Sequence, residues 1–151
     1  MAKGKKLEKW DVVLLQLPDR SVPALEFLTA CPVGARGSLL ATVVAVQQGP
    51  PPAFRGGLRW QVMHGEMGGI YEARDRLGKT LYRLFCLLDR LGTDHGLDRP
   101  SVVLLSGATK PDGTEMDEAS YAAAMVFRDQ YNGSAKRPIL LPAGLPPGMA
   151  G

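Results

Sequence analysis

The amino-acid sequence predicts an α+β domain, a small, curved and mostly antiparallel sheet with two N-terminal helices on one face and one C-terminal helix packed at its edge. Three observations lead to this prediction. Side chains alternate along both arms of a hairpin pattern at 68–86, a fully apolar run occupies 102–105, and apolar residues recur at helical spacing on both sides of this region. The length of 151 residues suits one domain with an adequate core, which we place at 1–135, before a Pro- and Gly-rich tail at 136–151.

The N-terminal part of the chain predicts one strand and two helices. Segment 10–15 is short, apolar and rich in β-branched residues, as strands are. Ser21 is expected to cap a helix over 22–29, with Pro23 in its first turn, where a missing N–H costs nothing. A second helix is expected over roughly 36–48, and the glycine and prolines that follow end it. Two successive helices with a short break indicate an antiparallel pair lying across a sheet.

The centre of the chain predicts a loop and then a β-hairpin. Prolines and glycines are frequent in 48–67, which predicts a loop with a short edge strand at 58–62. Two alternating segments then flank a polar turn at 75–79, in which Gly78 supplies the backbone freedom that a tight reversal needs. The sequence therefore predicts two paired antiparallel strands.

Two arginines interrupt the hairpin strands. Alternation places Arg74 and Arg83 on the faces opposite to those of Tyr71 and Tyr82. The acidic residues nearby suffice to pair with at most one of them, and we expect both guanidinium groups on one concave, exposed surface rather than in buried ion pairs. A guanidinium donates two parallel hydrogen bonds to a phosphate, so such a surface suits a phosphodiester. The alternative interpretation is an ordinary solvated outer face.

The chain after the hairpin predicts a connection and a central strand. Segment 89–100 is polar and is expected to be an exposed connection that contains His95. The run 101–105 is apolar after its first residue, like a strand covered on both faces, and Gly107 is expected to end it. A turn at 110–113 follows.

The last helix is expected to run from Thr114 or Asp117 to about Tyr131. Its predicted buried stripe consists of Met116, Ala119, Ser120, Ala123, Ala124, Phe127 and Tyr131. Tyr121 falls outside this stripe, which favours a role other than core packing; the alternative is a partly buried surface tyrosine. The tail at 136–151 carries no charge after Arg137 and is expected to be extended and mobile.

The composition excludes several classes of protein. A net charge of +3 permits a polyanionic partner without requiring one. Cys31 and Cys86 are expected to be small buried hydrophobes rather than a disulfide or metal ligands. His64 has too few neighbouring ligands for a metal site, and proton transfer is its alternative role. The sequence shows no secretory segment and no apolar run of membrane-spanning length, so we expect a cytoplasmic protein without a membrane partner.

Short sequence motifs lie within the predicted elements, in the order of the chain. GIYEAR at 69–74 is followed by a short turn and by GKTLYRLFC at 78–86. An apolar strand that leads into a lysine comes next, and then a helix with Tyr121 ahead of Arg128. This arrangement resembles the RelE/ParE superfamily of bacterial toxins, and within it the HigB-like, phage-associated branch. The resemblance spans roughly 22–131.

The resemblance implies a RelE-like fold and an mRNA interferase, the toxin of a type II toxin-antitoxin system. Such an endoribonuclease cuts messenger RNA in the translating ribosome, is neutralised by a helix-turn-helix antitoxin, and needs no metal or other cofactor. The resemblance also implies that Arg83 binds the scissile phosphate, that Arg74 and Lys110 assist, and that Tyr121 transfers a proton or stacks on a base. Further RNA contacts are expected from the cations Lys79, Arg76 and Arg128.

The chain departs from the family pattern after the last long strand. Ser106, Ala108 and Pro111 stand where the family has a histidine, a phenylalanine and a second lysine. Two alternatives therefore stay open. One is a catalytically inactive RelE-like module that binds an antitoxin or a phage component, and the other is an unrelated small domain that binds RNA or an acidic ligand through the hairpin arginines.

Overall fold

A computed structural model describes residues 9–51, 54–115 and 117–141 of the protein. The described helices are α1 at Pro23–Ala30, α2 at Val33–Gln48 and α3 at Glu118–Asn132. The described strands are β1 at Asp11–Leu15, β2 at Trp60–Val62, β3 at Ile70–Leu77, β4 at Thr80–Asp89, β5 at Ser101–Pro111 and β6 at Ile139–Leu140. Short 3-10 turns lie at Gly57–Arg59, Gly65–Met67 and Gly92–His95.

The strands form one open sheet in the order β2-β3-β4-β5-β1-β6. Only β1 and β5 pair in parallel, and the other neighbouring strands are antiparallel. The hairpin of β3 and β4 turns through Gly78 and Lys79, where Gly78 has a φ of 62° that favours glycine. The predicted α+β class, the mostly antiparallel sheet and the hairpin are confirmed.

Helices α1 and α2 cover one face of the sheet. Leu28, Leu39 and Val43 of these helices pack with Leu84 and Leu104 of the two long central strands. This arrangement is the one that the two successive helical patterns predict.

Helix α3 covers the opposite face. Ala124 and Tyr131 pack with Phe85 and Leu105, which alternate onto the far side of β4 and β5. The notion that α3 lies at the edge of the sheet is therefore wrong. Helix α3 crosses the central strand β5, because the sheet has a second apolar face that also has to be buried.

The buried side of α3 differs from the predicted stripe. The residues that face the sheet are Tyr121, Ala124, Met125, Phe127 and Tyr131, whereas Ala119 is exposed and Met116 lies outside the described residues. The predicted stripe is therefore right at Ala124, Phe127 and Tyr131, but it omits Tyr121 and Met125. Tyr121 is consequently a packed residue and not one that lies outside the packing stripe.

Two local signals have other roles than predicted. Ser21 does not cap α1; its hydroxyl donates to Asp19 Oδ1 at 2.6 Å, and the N-cap is Val22. Gly107 does not end the central strand, which continues to Pro111. The Phe27 ring of α1 lies so close to Gly107 that a Cβ there would be 2.1 Å from it, so this glycine allows α1 to pack against β5.

Part of the predicted tail belongs to the folded domain. Ile139 and Leu140 form β6 beside β1, and Arg137 is buried. The rest of the predicted tail, 142–151, lies outside the described residues. In the described ranges no helix has both the length and the apolar character to cross a membrane.

Candidate functional site

The two hairpin arginines lie side by side on the α3 face of the sheet. Arg74 of β3 and Arg83 of β4 are directly opposite each other in the strand register. Alternation puts both on the same face as Phe85, which packs beneath α3. The structure thus brings together the two residues that the sequence assigned to one surface.

Glu72 holds both guanidinium groups. Its Oε1 accepts a hydrogen bond from Arg74 Nε at 2.8 Å and another from Arg83 Nη1 at 2.6 Å. The Glu72 side chain is fully buried, while those of Arg74 and Arg83 are 28% and 14% exposed. Within the described part of the chain, the buried Oε2 of Glu72 has no hydrogen-bond partner.

This geometry corrects two expectations. We expected an acidic partner for at most one of the two arginines, but Glu72 pairs with both. We also expected both to be exposed, but both are largely buried in these ion pairs. The reason is the position of Glu72, which lies two residues before Arg74 on the same strand and therefore on the same face. A fully buried carboxylate requires compensating cations, and the two arginines supply them.

Tyr121 lies beside this cluster in the first turns of α3. Its ring meets the ring of Phe85 edge to face, with 5.8 Å between the centroids. Burial and the charge of Glu72 raise the pKa of the Tyr121 phenol, and the charges of Arg83 and Arg74 partly offset this rise. Tyr121 therefore keeps its proton at neutral pH, and its hydroxyl can donate a hydrogen bond or a proton but not act as a phenolate base.

The remaining predicted cations lie at different places. Lys79 is exposed at the hairpin turn, and the exposed Arg76 pairs with Asp112 at 2.6 Å. Lys110 follows Ala108 on the site's face of β5, but its amine donates to the backbone carbonyl of Thr114. These contacts hold Lys110 to the turn that leads into α3, near the hairpin tip.

Arg128 has a structural role. Its Nη1 donates to the carbonyl oxygens of Glu66 and Gly68 at 2.6 and 2.9 Å, and its Nε pairs with Asp129 at 2.9 Å. Arg128 thus attaches α3 to the turn before β3, and its side chain is only 16% exposed. Few of its donors remain for RNA.

The histidines and cysteines do not converge on a site. His64 is exposed at the start of the turn before β3, and His95 Nδ1 lies 2.9 Å from the carbonyl oxygen of Ala135. Cys31 and Cys86 are free and buried, which confirms their role as small hydrophobes. Over 9–51, 54–115 and 117–141, no group of three histidine, cysteine or acidic side chains has the arrangement of a metal site.

Sequence reasoning missed two buried carboxylates. Glu72 carries a signal in hindsight, since a glutamate and an arginine two residues apart on a strand share a face. Asp89 carries none, because its partners are distant: Tyr131 Oη donates to Asp89 Oδ2 at 2.7 Å and Arg137 Nε donates to it at 3.0 Å.

The site combines two fixed guanidinium groups, a buried carboxylate and a protonated phenol at the face between α3 and the hairpin. Guanidinium groups with free N–H donors suit phosphate oxygens, and a phenol beside them suits proton donation or base stacking. Neither a protein-family model, nor a curated protein, nor a solved structure matches this chain. The function is therefore argued from the geometry and from the motifs of the sequence.

Proposed function

We propose that the protein is an RNA-cleaving toxin of the RelE/ParE type, which acts on messenger RNA in the ribosome and is neutralised by a helix-turn-helix antitoxin. The observation that carries the proposal is the juxtaposition of Arg74 and Arg83 beside Tyr121 on one face. Each arginine uses one N–H for Glu72, which leaves further donors of both side chains for a ligand.

The chemistry of RNA cleavage matches these groups. The 2′-hydroxyl gives its proton to solvent water as its oxygen attacks the phosphorus, and negative charge grows on the phosphate. The bond from phosphorus to the 5′-oxygen then breaks, the 5′-oxygen takes a proton, and a 2′,3′-cyclic phosphate remains. Fixed cations directed at the growing charge contribute on the order of 10²–10³ per donor, and Arg83 and Arg74 fill this role. Tyr121, which keeps its proton, donates it to the leaving oxygen.

The order of elements supports the same proposal. One strand, two helices, a hairpin, a long central strand and a last helix follow each other as the resemblance implies. The antitoxin is expected to shield the cationic site, because occupying such a surface is the simplest way to silence it.

A second candidate is the same fold without catalysis. It is favoured by the neutralising contact of Glu72 with both arginines and by the bond of Lys110 to Thr114, which leave less free cationic charge than an exposed arginine pair would. In this case the surface binds an antitoxin-like protein or a phage component.

Substitution of Arg83 by lysine tests the proposal. Arg83→Lys keeps a cation beside Glu72 and so protects the fold, but it removes the planar fork that binds two phosphate oxygens. We expect growth inhibition and ribosome-dependent RNA cleavage to fall at least about tenfold, since a fixed donor contributes on the order of 10²–10³. The matched control is Arg99→Lys, the same change at an arginine that is 50% exposed and pairs with Asp11.

Two results separate the candidates. Growth arrest that is relieved by a co-expressed helix-turn-helix neighbour and lost in Arg83→Lys supports the toxin. A wild-type protein that forms a stable complex with that neighbour, yet neither arrests growth nor cleaves RNA, supports the inactive module.

A further inference from the structure

Glu72 sets the charge of the candidate site. The two guanidinium groups and the one carboxylate that they share leave one net positive charge. The described groups nearest to this cluster on other elements are Tyr121 of α3, which is protonated, and the uncharged Ala108 of β5. Lys110 follows Ala108 on the same face of β5, but the carbonyl of Thr114 holds its amine toward the hairpin tip, where the ion pair of Arg76 with Asp112 adds no net charge. Among the described residues, no second carboxylate pairs with either arginine.

A site with one net positive charge discriminates between phosphate groups of different charge. The attraction of a ligand to a positive site grows in proportion to the ligand's charge, whereas the cost of removing water from the ligand grows with the square of that charge. An internal phosphodiester carries one negative charge at every relevant pH. A terminal phosphate carries nearly two above its second pKa of about 6. A site with a single excess positive charge therefore favours the diester.

The hydrogen bonds of Glu72 also fix the position of the two guanidinium groups. Both donate to the same oxygen, so Arg74 Nε and Arg83 Nη1 converge on one point beneath the surface. Their remaining N–H groups have no partner within 9–51, 54–115 and 117–141, and they can bridge the two non-bridging oxygens of one phosphate.

We propose that Glu72 is a specificity-determining residue that restricts this site to internal phosphodiesters and excludes terminal phosphates. The proposal rests on the proposed function, because it assumes that Arg74 and Arg83 bind a phosphate. It goes further in stating which phosphate is bound and in assigning this choice to a buried acid that does not itself contact the substrate.

Glu72→Gln tests the proposal with little change in shape. The glutamine retains an oxygen that accepts from both arginines, and its amide nitrogen replaces Oε2, the oxygen that lacks a partner. The site then carries two net positive charges. The matched control is Glu118→Gln, which removes the same charge from the exposed first turn of α3.

Two small ligands serve as probes. The first is the 2′-O-methylated dinucleoside phosphate of adenosine, whose methyl group prevents cleavage, and the second is 2′-O-methyladenosine 5′-monophosphate. Their dissociation constants are measured at about pH 5.5 and about pH 7.5, on either side of the second phosphate pKa. The side-chain Nε–H signals of Arg74 and Arg83 in NMR spectra report occupancy of this site.

The expected readout is the ratio of monoester to diester affinity. In the wild-type protein this ratio falls as the pH rises, because the monoester gains a charge that the site does not neutralise. In Glu72→Gln the ratio rises instead, and at about pH 7.5 it exceeds the wild-type ratio at least about threefold, the effect of one unit charge at about 6 Å in water. The diester, whose charge does not change between these pH values, serves as the reference for effects of pH on the protein.

The outcomes separate this inference from the function on which it rests. If neither ligand shifts the arginine signals of the wild-type protein, the phosphate site itself is refuted. If the diester binds but Glu72→Gln has the same ratio as the wild type, or Glu118→Gln changes it equally, only the role of Glu72 is refuted. If Glu72→Gln does not fold, the wild-type protein alone still tests the proposal. A ratio of monoester to diester affinity that rises with pH in the wild-type protein overturns it.

Discussion

Two carboxylate clusters lie on the α3 face of the sheet, and they are built from the same residue types. In one, Asp89 meets Arg137 and Tyr131; in the other, Glu72 meets two arginines, with Tyr121 nearby. Helix α3 contributes a tyrosine to each cluster, one from its first turns and one from its last turn.

The two clusters differ in how completely their polar atoms are paired. Both oxygens of Asp89 accept hydrogen bonds, since Oδ1 accepts from the Leu91 amide at 3.1 Å and Oδ2 accepts from Tyr131 and Arg137. Arg137 Nη1 also donates to three carbonyl oxygens at the C-terminal end of α3. In the Glu72 cluster one carboxylate oxygen is unpaired and both arginines reach solvent.

This difference distinguishes a structural cluster from a candidate site. A buried network in which both carboxylate oxygens are paired fixes the chain, here by attaching the segment at 136–138 to the end of β4. An incompletely paired cluster keeps donors and charge for a ligand and sacrifices stability for them. The following substitutions test this distinction, in order of the expected loss of stability.

The largest loss is expected for Asp89→Ala. Asp89 and Arg137 are both 6% exposed, so the change leaves a buried guanidinium and the Tyr131 hydroxyl without their common partner. Removing one member of such a pair costs about 3–5 kcal/mol of unfolding free energy, which lowers the melting temperature by on the order of 10 °C in a domain of this size. Thermal and urea unfolding measure it. Asp98→Ala, an exposed acid of the same connection, is the control. Equal melting temperatures of the two variants would contradict a structural role of Asp89.

A smaller loss is expected for Tyr131→Phe. Asp89 Oδ2 then loses one donor but keeps Arg137, so the cost is about 1–3 kcal/mol. Burial, followed by the hydrogen bond and charge of Asp89, raises the pKa of the Tyr131 phenol despite the opposing Arg137.

The raised pKa of Tyr131 gives this variant a second readout. A phenol whose pKa is raised by folding contributes stability that is complete below its unfolded value of about 10 and declines as the pH rises beyond it. Burial likewise raises the pKa of Cys86, whose contribution declines above about pH 9 in both proteins. Urea unfolding at increasing pH should therefore show a weaker decline above about pH 10 in Tyr131→Phe than in the wild type. Equal slopes would contradict this assignment.

Arg83→Ala should lower the free energy of unfolding less than Asp89→Ala does, but it should remove RNA cleavage. Glu72 keeps Arg74 as a partner, and Arg83 already reaches solvent, so the expected loss is about 1–2 kcal/mol. Because the cost comes from the unbalanced Glu72, the double variant Glu72→Gln/Arg83→Ala should recover part of the stability, while RNA cleavage stays lost. A double variant that is less stable than Arg83→Ala would contradict this account.

The fold was predictable where patterns are local. Strand alternation over 70–86 predicted the hairpin and the common face of Arg74 and Arg83, and the apolar run at 101–105 predicted the central strand. The rest depended on tertiary contacts. Gly107 is a packing residue under Phe27, and the buried face of α3 is decided by the second face of the sheet, which no local pattern within the helix encodes.

The sequence identified residues of the candidate site, but it did not reveal how these residues are paired. The sequence assigned Arg74, Arg83 and Tyr121 to it, and the structure gathers them. The pairing of Glu72 with both arginines was missed, although strand alternation already puts Glu72 and Arg74 on one face. The register that sets Arg83 opposite Arg74 is decided by the pairing of the two strands and not by either strand alone. The position of Arg128 was unpredictable for another reason, since its partners are backbone carbonyls 60 and 62 residues away in the chain.

The smallest loss of stability is expected for Tyr121→Phe, the counterpart of Tyr131→Phe at the other end of α3. No hydrogen bond of its hydroxyl is present among the described residues, so the free energy of unfolding should change by less than about 0.5 kcal/mol. RNA cleavage should nevertheless fall about 10²-fold or more, because we propose the phenol as the proton donor to the leaving oxygen. Binding of the 2′-O-methylated dinucleotide should stay unchanged, since the phenylalanine ring preserves the stacking surface beside Phe85. If cleavage of bound RNA persists in Tyr121→Phe while Tyr121→Ala loses dinucleotide binding, the ring is a stacking platform and the proton comes from another group. The two tyrosines would then differ in stability alone, and Tyr121 would no longer mark the Glu72 cluster as catalytic.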